Sequence, residues 1–212
     1  MYLSDRDLAW AIETGRLIVD PVPEKIDATS LDLHLGSIAD AKIWDIAKFA
    51  KVQNTHGKPR PELHIGGYRF GLFATNYTAP PPKYEPDSES LVMRRGDEII
   101  VRPQGFLLWP TREIVGTPET NADLICFVDG KSTKARAGMV VHLTAPTIHS
   151  TWTGNVVLEI VNLGPFDLVF LEGDAVAQLT VSRITSPPDK AVKGTSVTYG
   201  QTGIYGRDAV VP

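Results

Sequence analysis

Ser30-Leu31-Asp32-Leu33-His34-Leu35-Gly36 alternates strictly between apolar and polar residues and stops at a glycine. A period of two is the pattern of a strand with one face on a core and the other toward water. Working outward, short strand-like runs recur at 68–74, 98–102, 106–109, 124–128, 139–144, 156–162, 168–171 and 175–182. Turn residues separate them at short intervals, the signature of a sandwich or barrel. The 18 Gly and 16 Pro among 212 residues, about 16% where roughly 12% is usual, supply those turns. Strands do not alternate with helices, and neither G-x-G-x-x-G nor a Walker loop occurs, which argues against a dinucleotide fold or a P-loop enzyme.

On the N-terminal side lies one convincing helix. Ser4 caps it, Asp7 stands three residues on as the reciprocal cap, Leu3 and Leu8 form a staple, and Gly15 ends it. Between 37 and 95 the pattern is least regular. A short helix is expected within 41–52, where Ile43, Ile46, Ala47 and Ala50 share a face, and Pro80-Pro81-Pro82 forms a stiff connector. We expect a single domain over 1–212, with an irregular insertion at about 37–95. Beyond about 184 follows a tail that is either disordered or docked on a neighbour.

Composition excludes several functions. Hydrophobic residues at 42% with 22% charged describe a globular chain, and a net charge of −4 argues against a basic grip on nucleic acid or anionic lipid. One cysteine rules out an internal disulfide framework and the usual thiolate zinc sites. His34, His56, His64, His142 and His149 never fall three to five residues apart, so each reads as structural or surface. Cys126 sits in Leu124-Ile125-Cys126-Phe127-Val128 and reads as a packed, inert thiol. No 18-residue apolar run and no signal peptide is seen, so the expectation is a soluble cytoplasmic protein.

Two features carry chemistry. Glu159 interrupts Val156-Val157-Leu158-Glu159-Ile160-Val161, a run apolar on both faces. A carboxylate there is either an acid–base group or half of a buried ion pair with an arginine. Residues 129–138, Asp-Gly-Lys-Ser-Thr-Lys-Ala-Arg-Ala-Gly, crowd hydroxyls and three cations into one turn. They form either a phosphate cradle or a solvated polar loop.

With these residues the chain resembles the dCTP deaminase branch of the trimeric dUTPase superfamily over roughly 1–36 and 97–183. The resemblance rests on Leu3-Ser4-Asp5-Arg6-Asp7-Leu8, Gly15-Arg16-Leu17-Ile18, the 30–36 strand, Thr111-Arg112-Glu113, Gly130-Lys131-Ser132, Ala135-Arg136, His142-Leu143-Thr144-Ala145, Trp152, Val157-Leu158-Glu159 and Gln178-Leu179. It implies a mainly β fold, a distorted β-barrel or jelly roll of the dUTPase-like type with an N-terminal helix. It also implies a homotrimer with sites at subunit boundaries, and zinc-independent conversion of dCTP to dUTP and ammonia.

By the same resemblance, Glu159 is the general base and acid, and Ser132 with the Ala145 carbonyl holds the attacking water. Arg136 fixes the carboxylate, and Lys131, Ser132, Thr133 and Gln178 meet the phosphates. Tyr199 and Gln201 belong to a closing flap, and Mg2+ enters through the triphosphate with no zinc. The sequence departs from the family's Arg-Ile-Asp-Pro-Gly, carrying Thr147-Ile148-His149-Ser150-Thr151 instead. In bifunctional members that aspartate activates the water that attacks the phosphate chain. The alternatives are therefore a nucleotide pyrophosphohydrolase and a non-catalytic nucleotide-binding homologue.

Overall fold

The computed structural model describes residues 1–52, 61–63, 65, 74, 76–120 and 122–189. The expected helix, α1, is Asp5–Glu13, with the Ser4 hydroxyl accepting from the Asp7 N–H and Gly15 at φ +69° closing its end. Leu3 and Leu8 are both buried, as the staple requires.

The rest is mainly β. The strands are β1 (Ile18–Asp20), β2 (Leu31–His34), β3 (Ile43–Trp44), β4 (Thr78–Ala79), β5 (Val92–Arg95), β6 (Glu98–Val101), β7 (Phe106–Gly116), β8 (Leu124–Gly130), β9 (Met139–Val140), β10 (Thr147–Ile148), β11 (Thr153–Asn162), β12 (Leu168–Leu171) and β13 (Ala175–Arg183). Two four-stranded sheets, β1-β7-β11-β9 and β10-β8-β13-β2, carry most of the fold. A three-stranded sheet β12-β6-β5 and the β3-β4 pair complete it, and the described residues form no closed barrel. One continuous core, drawn from Leu3 to Val181 and including Trp109, Leu158 and Leu179, fills the space between them. The amino end bonds to the last strand: Tyr2 bridges Ser182, and the Leu3 N–H donates to the Val181 carbonyl at 2.9 Å.

Several boundaries differ from the sequence reading, each for a local reason. Strand β7 continues past Trp109 through Pro110, which pairs with Val157 beside an irregularity where residues 111–113 stand against Val156 alone. There the Thr111 hydroxyl accepts the Val156 N–H at 3.0 Å, and the Asn155 amide donates to the Thr111 carbonyl at 3.0 Å. A bulge of this kind is where a strand tolerates a residue with no N–H. The helix expected within 41–52 is α2 (Ile46–Val52), while Ile43 and Trp44 pair instead with Ala79 and Thr78. The run at 139–144 pairs only at Met139–Val140, because its far end turns to meet Glu159. Of the run at 68–74 only Ala74 lies among the described residues.

Candidate functional site

Glu159 is placed by its strand. In β11, Leu158 stands opposite Trp109 and Glu159 opposite Leu108, and Leu158 and Ile160 are fully buried. The two-residue period turns Glu159 to the other face with Val157 and Val161, where Val157 and Glu159 are half-buried and Val161 is buried. The run apolar on both faces is therefore not sealed on both, and the carboxylate is half-buried, not buried. Its backbone N–H donates to the Val141 carbonyl at 3.0 Å, and its Oε2 accepts the Leu143 N–H at 3.1 Å. Its Oε1 has no protein partner among the described residues and is not enclosed. Neither the expected arginine ion pair nor an Arg136 contact is formed among the described residues. Arg136 is exposed, with only its backbone N–H bonded, to the Ser132 carbonyl at 3.3 Å.

The polar loop follows β8. Its first turn is a short helix, α3 (Ser132–Ala135), with Lys131 at the N-cap. Ser132, Thr133 and Arg136 are exposed, as is Ala145 on the segment after Leu143. Gly138 ends the loop at φ +89°, and a side chain there would stand 2.2 Å from the Gly164 nitrogen. The Leu163 N–H donates to the Gly138 carbonyl at 2.8 Å, and Met139 and Val140 pair with Asn162 and Val161. The loop is thus tied to the end of the strand that carries Glu159.

Gln178 lies half-buried in β13, opposite Asp129 on one side and Asp32 on the other. The Lys131 ammonium pairs with Asp32, with 23% and 32% of the two side chains exposed. Tyr199 and Gln201 lie outside the described residues, as do His56 and His64.

The stretch that departs from the family pattern is ordered locally by its neighbours. Thr147 is half-buried and pairs with Phe127, and His149 is exposed. Thr151 is buried at φ +73°, with its N–H donating to the Thr117 hydroxyl at 2.6 Å. A β-branched residue is rarely found in that left-handed conformation.

The sequence reading missed a second polar cluster. Glu113, with 3% of its side chain exposed, accepts at Oε2 from the His34 N–H at 2.8 Å. Its Oε1 meets His34 Nδ1 at 2.8 Å and Arg112 Nε and Nη2 at 3.1 and 2.9 Å. The signal was present in Thr111-Arg112-Glu113-Ile114-Val115, whose alternation puts Glu113 on the inward face with Thr111 and Val115. These groups, with Asp32, Lys25 and 21–24, line a cleft of about 580 Å3. Cys126 is fully buried, and burial pushes its thiol up to about 12. No three His, Cys, Asp or Glu side chains converge among the described residues as a metal site, and no helix among them is long and apolar enough to cross a membrane.

The dCTP deaminase-like family model matches residues 2–184. A dCTP deaminase of Thermomicrobium roseum is 30% identical over 190 residues, covering 88% of this chain and 82% of the relative. A dUMP-forming dCTP deaminase of Acidothermus cellulolyticus is 31% identical over 191 residues, covering 89% and 83%. The crystal structure of a 2'-deoxycytidine 5'-triphosphate deaminase from Agrobacterium tumefaciens superposes with a TM-score of 0.53 at 16% identity, which speaks to the fold. It covers 85% of this chain, which spans 47% of that structure's chain.

Proposed function

The chain belongs to the dCTP deaminase-like family, and on that footing we propose that it hydrolyses dCTP to dUTP and ammonia without zinc, using Glu159 as general base and acid. The observation that supports this most is the state of the Glu159 carboxylate. One oxygen is held by the Leu143 N–H and the other has no partner among the described residues, on a strand tied to the 131–138 loop. A carboxylate fixed at one oxygen presents the other in a defined direction to a water.

In this reading Ser132 and the Ala145 carbonyl hold the water while Glu159 takes its proton. The oxygen adds to C4 of cytosine as Glu159 passes its proton to N3. Glu159 then takes the second proton from the new C4 hydroxyl and gives it to the departing amine. The C4–N bond breaks as ammonia leaves, so water and dCTP become dUTP and ammonia. The substrate is the magnesium–nucleotide complex. Lys131, Ser132, Thr133, Arg136 and Gln178 receive its phosphates, and Tyr199 and Gln201 belong to a flap that closes over it. Arg136 meets the Glu159 carboxylate only in the assembled, substrate-bound enzyme. That enzyme is a homotrimer of one dUTPase-like unit per chain, with 37–95 as an insertion and 184–212 as the tail, working in the cytoplasm without nucleic acid or membrane partners.

The product follows from position 149. The bifunctional branch uses an aspartate there to activate the water that attacks the phosphate chain, and this chain presents an exposed His149. We therefore assign dUTP and not dUMP as the product. The test is incubation with magnesium and each dNTP, followed by separation of the nucleotides. The expected result is dUTP from dCTP, lost by at least a hundredfold in Glu159→Gln, in keeping with the roughly 10²–10⁴ range of acid–base catalysis. Absence of dUTP, with Glu159→Gln equal to the parent, defeats the assignment. Release of dUMP and pyrophosphate would establish the hydrolase instead, and binding without turnover the non-catalytic homologue.

A further inference from the structure

Lys131 and Asp32 are 99 residues apart in sequence, yet the ion pair joins them. In the sheet β10-β8-β13-β2 they belong to opposite sides of β13. Gly130, the last residue of β8, pairs with Ala177, so Lys131 leaves the sheet beside the central strand. Neighbouring strands stand about 4.8 Å apart, so a group two strands away is about 10 Å distant. The lysine and aspartate side chains therefore close the gap across β13 together. Gln178 stands between the two flanking strands, because it pairs with Asp32 on one side and Asp129 on the other. Residues paired directly across a sheet share a face, so Asp32, Gln178 and Asp129 form one row. The opposite face holds Leu31, Leu33, Ala177 and Leu179, all buried.

Among the described residues Asp32 is the one side chain that bonds the ammonium, with Asp27 near enough to act on it through charge alone. Lys131 is the N-cap of α3 without a side-chain capping bond, and the hydroxyls that follow it are exposed. A long free lysine loses rotamer freedom when it closes on a ligand, and a held one has lost it already. Burial of about two thirds to three quarters of both side chains makes this pair less screened than a surface contact.

We propose that Asp32 is a positioning residue for the nucleotide loop: acting through Lys131, it holds the ammonium in place before the phosphates arrive. This rests on the reading of 131–136 as the phosphate loop. Asp32 shares Lys131 with the incoming phosphates and does not touch the reacting atoms, so its removal changes affinity and leaves the chemical step.

The decisive experiment is a double-mutant cycle by calorimetric titration of magnesium–dCTP, and separately of inorganic tripolyphosphate. It uses the full chain, Asp32→Asn, Lys131→Met and the double variant. We expect Asp32→Asn to weaken binding about three- to tenfold, the range for re-immobilising one long side chain. In the Lys131→Met background Asp32→Asn should change nothing further, and in the otherwise unaltered chain Asp32→Asn should leave kcat within about twofold of the parent. A role in folding alone would appear equally in both backgrounds. Asp32→Ser serves as the second variant should the asparagine alter the melting profile. Equal or tighter binding in Asp32→Asn, or an identical loss with and without Lys131, overturns the inference. A parent that binds neither dCTP nor tripolyphosphate overturns the functional reading with it, whereas binding with an additive cycle removes this inference alone.

Discussion

Cys126 is a thiol that the fold has switched off. Burial pushes it up to about 12, so the folded chain keeps a proton that the unfolded chain surrenders near pH 9. Its contribution to stability is complete below about pH 9 and is lost as the pH rises from there through about 12. Two outcomes follow. Iodoacetamide at pH 8 should leave the native protein unlabelled and modify it only in denaturant, as read by intact mass. The urea midpoint should fall above pH 9 less steeply in Cys126→Ala than in the parent. Gln104 illustrates the opposite case, an exposed side chain at φ +69°. The left-handed conformation costs an L residue about 1–2 kcal/mol, so Gln104→Gly should stabilise by about 0.5–1 kcal/mol after glycine's own entropy. Calorimetry should show a melting temperature higher by about 1–4 °C.

At the scale of elements, the turn after β11 matters more than its length suggests. Asn162 is wholly buried, and its amide donates to the carbonyls of Val101 and Phe166 at 2.8 and 2.7 Å while its oxygen accepts the Gly164 N–H at 2.9 Å. Asn162→Ala leaves these groups unpaired and should cost about 3 kcal/mol in urea unfolding. Gly138→Ala should disturb the loop itself, since the new methyl meets Gly164 backbone at a conformation alanine avoids. The expected effect is a loss of more than about 2 kcal/mol, with weakened dCTP binding measured by titration. The helix α1 was legible because cap, staple and terminator all lie within a dozen residues. Strands β2, β12 and β13 were legible from alternation or from short apolar runs. What escaped were β1, β3, β4, β5 and β10, and the extension of β7 through Pro110. Apart from β5, whose partner β6 begins just past Gly96 and Asp97, the deciding partner is a distant strand or a side chain bonded to the backbone, which no local window contains.

For the whole molecule, the proposed assembly predicts a sedimenting species of three times the 23.2 kDa chain mass, independent of dCTP. The same scale explains how much of the site could be read in advance. Glu159 and the 130–136 loop stand out because each breaks a local rule, one a carboxylate in an apolar run and the other a crowd of cations. Asp32 breaks none, since a polar residue on the outer face of an alternating strand is expected there. Its meeting with Lys131 exists only once β2 and β8 flank β13. Arg136 shows the reverse, a residue whose assigned partner is not reached within one chain. Sequence marks chemical types, and proximity belongs to the sheet.

The bond from Leu3 to Val181 sets a timetable for synthesis. Tyr2 and Leu3 leave the ribosome long before their partners on the last described strand. At about 5–20 residues per second, the opening segment waits roughly 9–36 seconds for that strand to be made. During that interval the seat for Leu3 and Leu8 lacks one of its walls, so their apolar side chains are open to chaperones. Transplanting residues 1–17 to the carboxyl side of 183 would remove the wait, and refolding yield during translation in a chaperone-free extract should then rise.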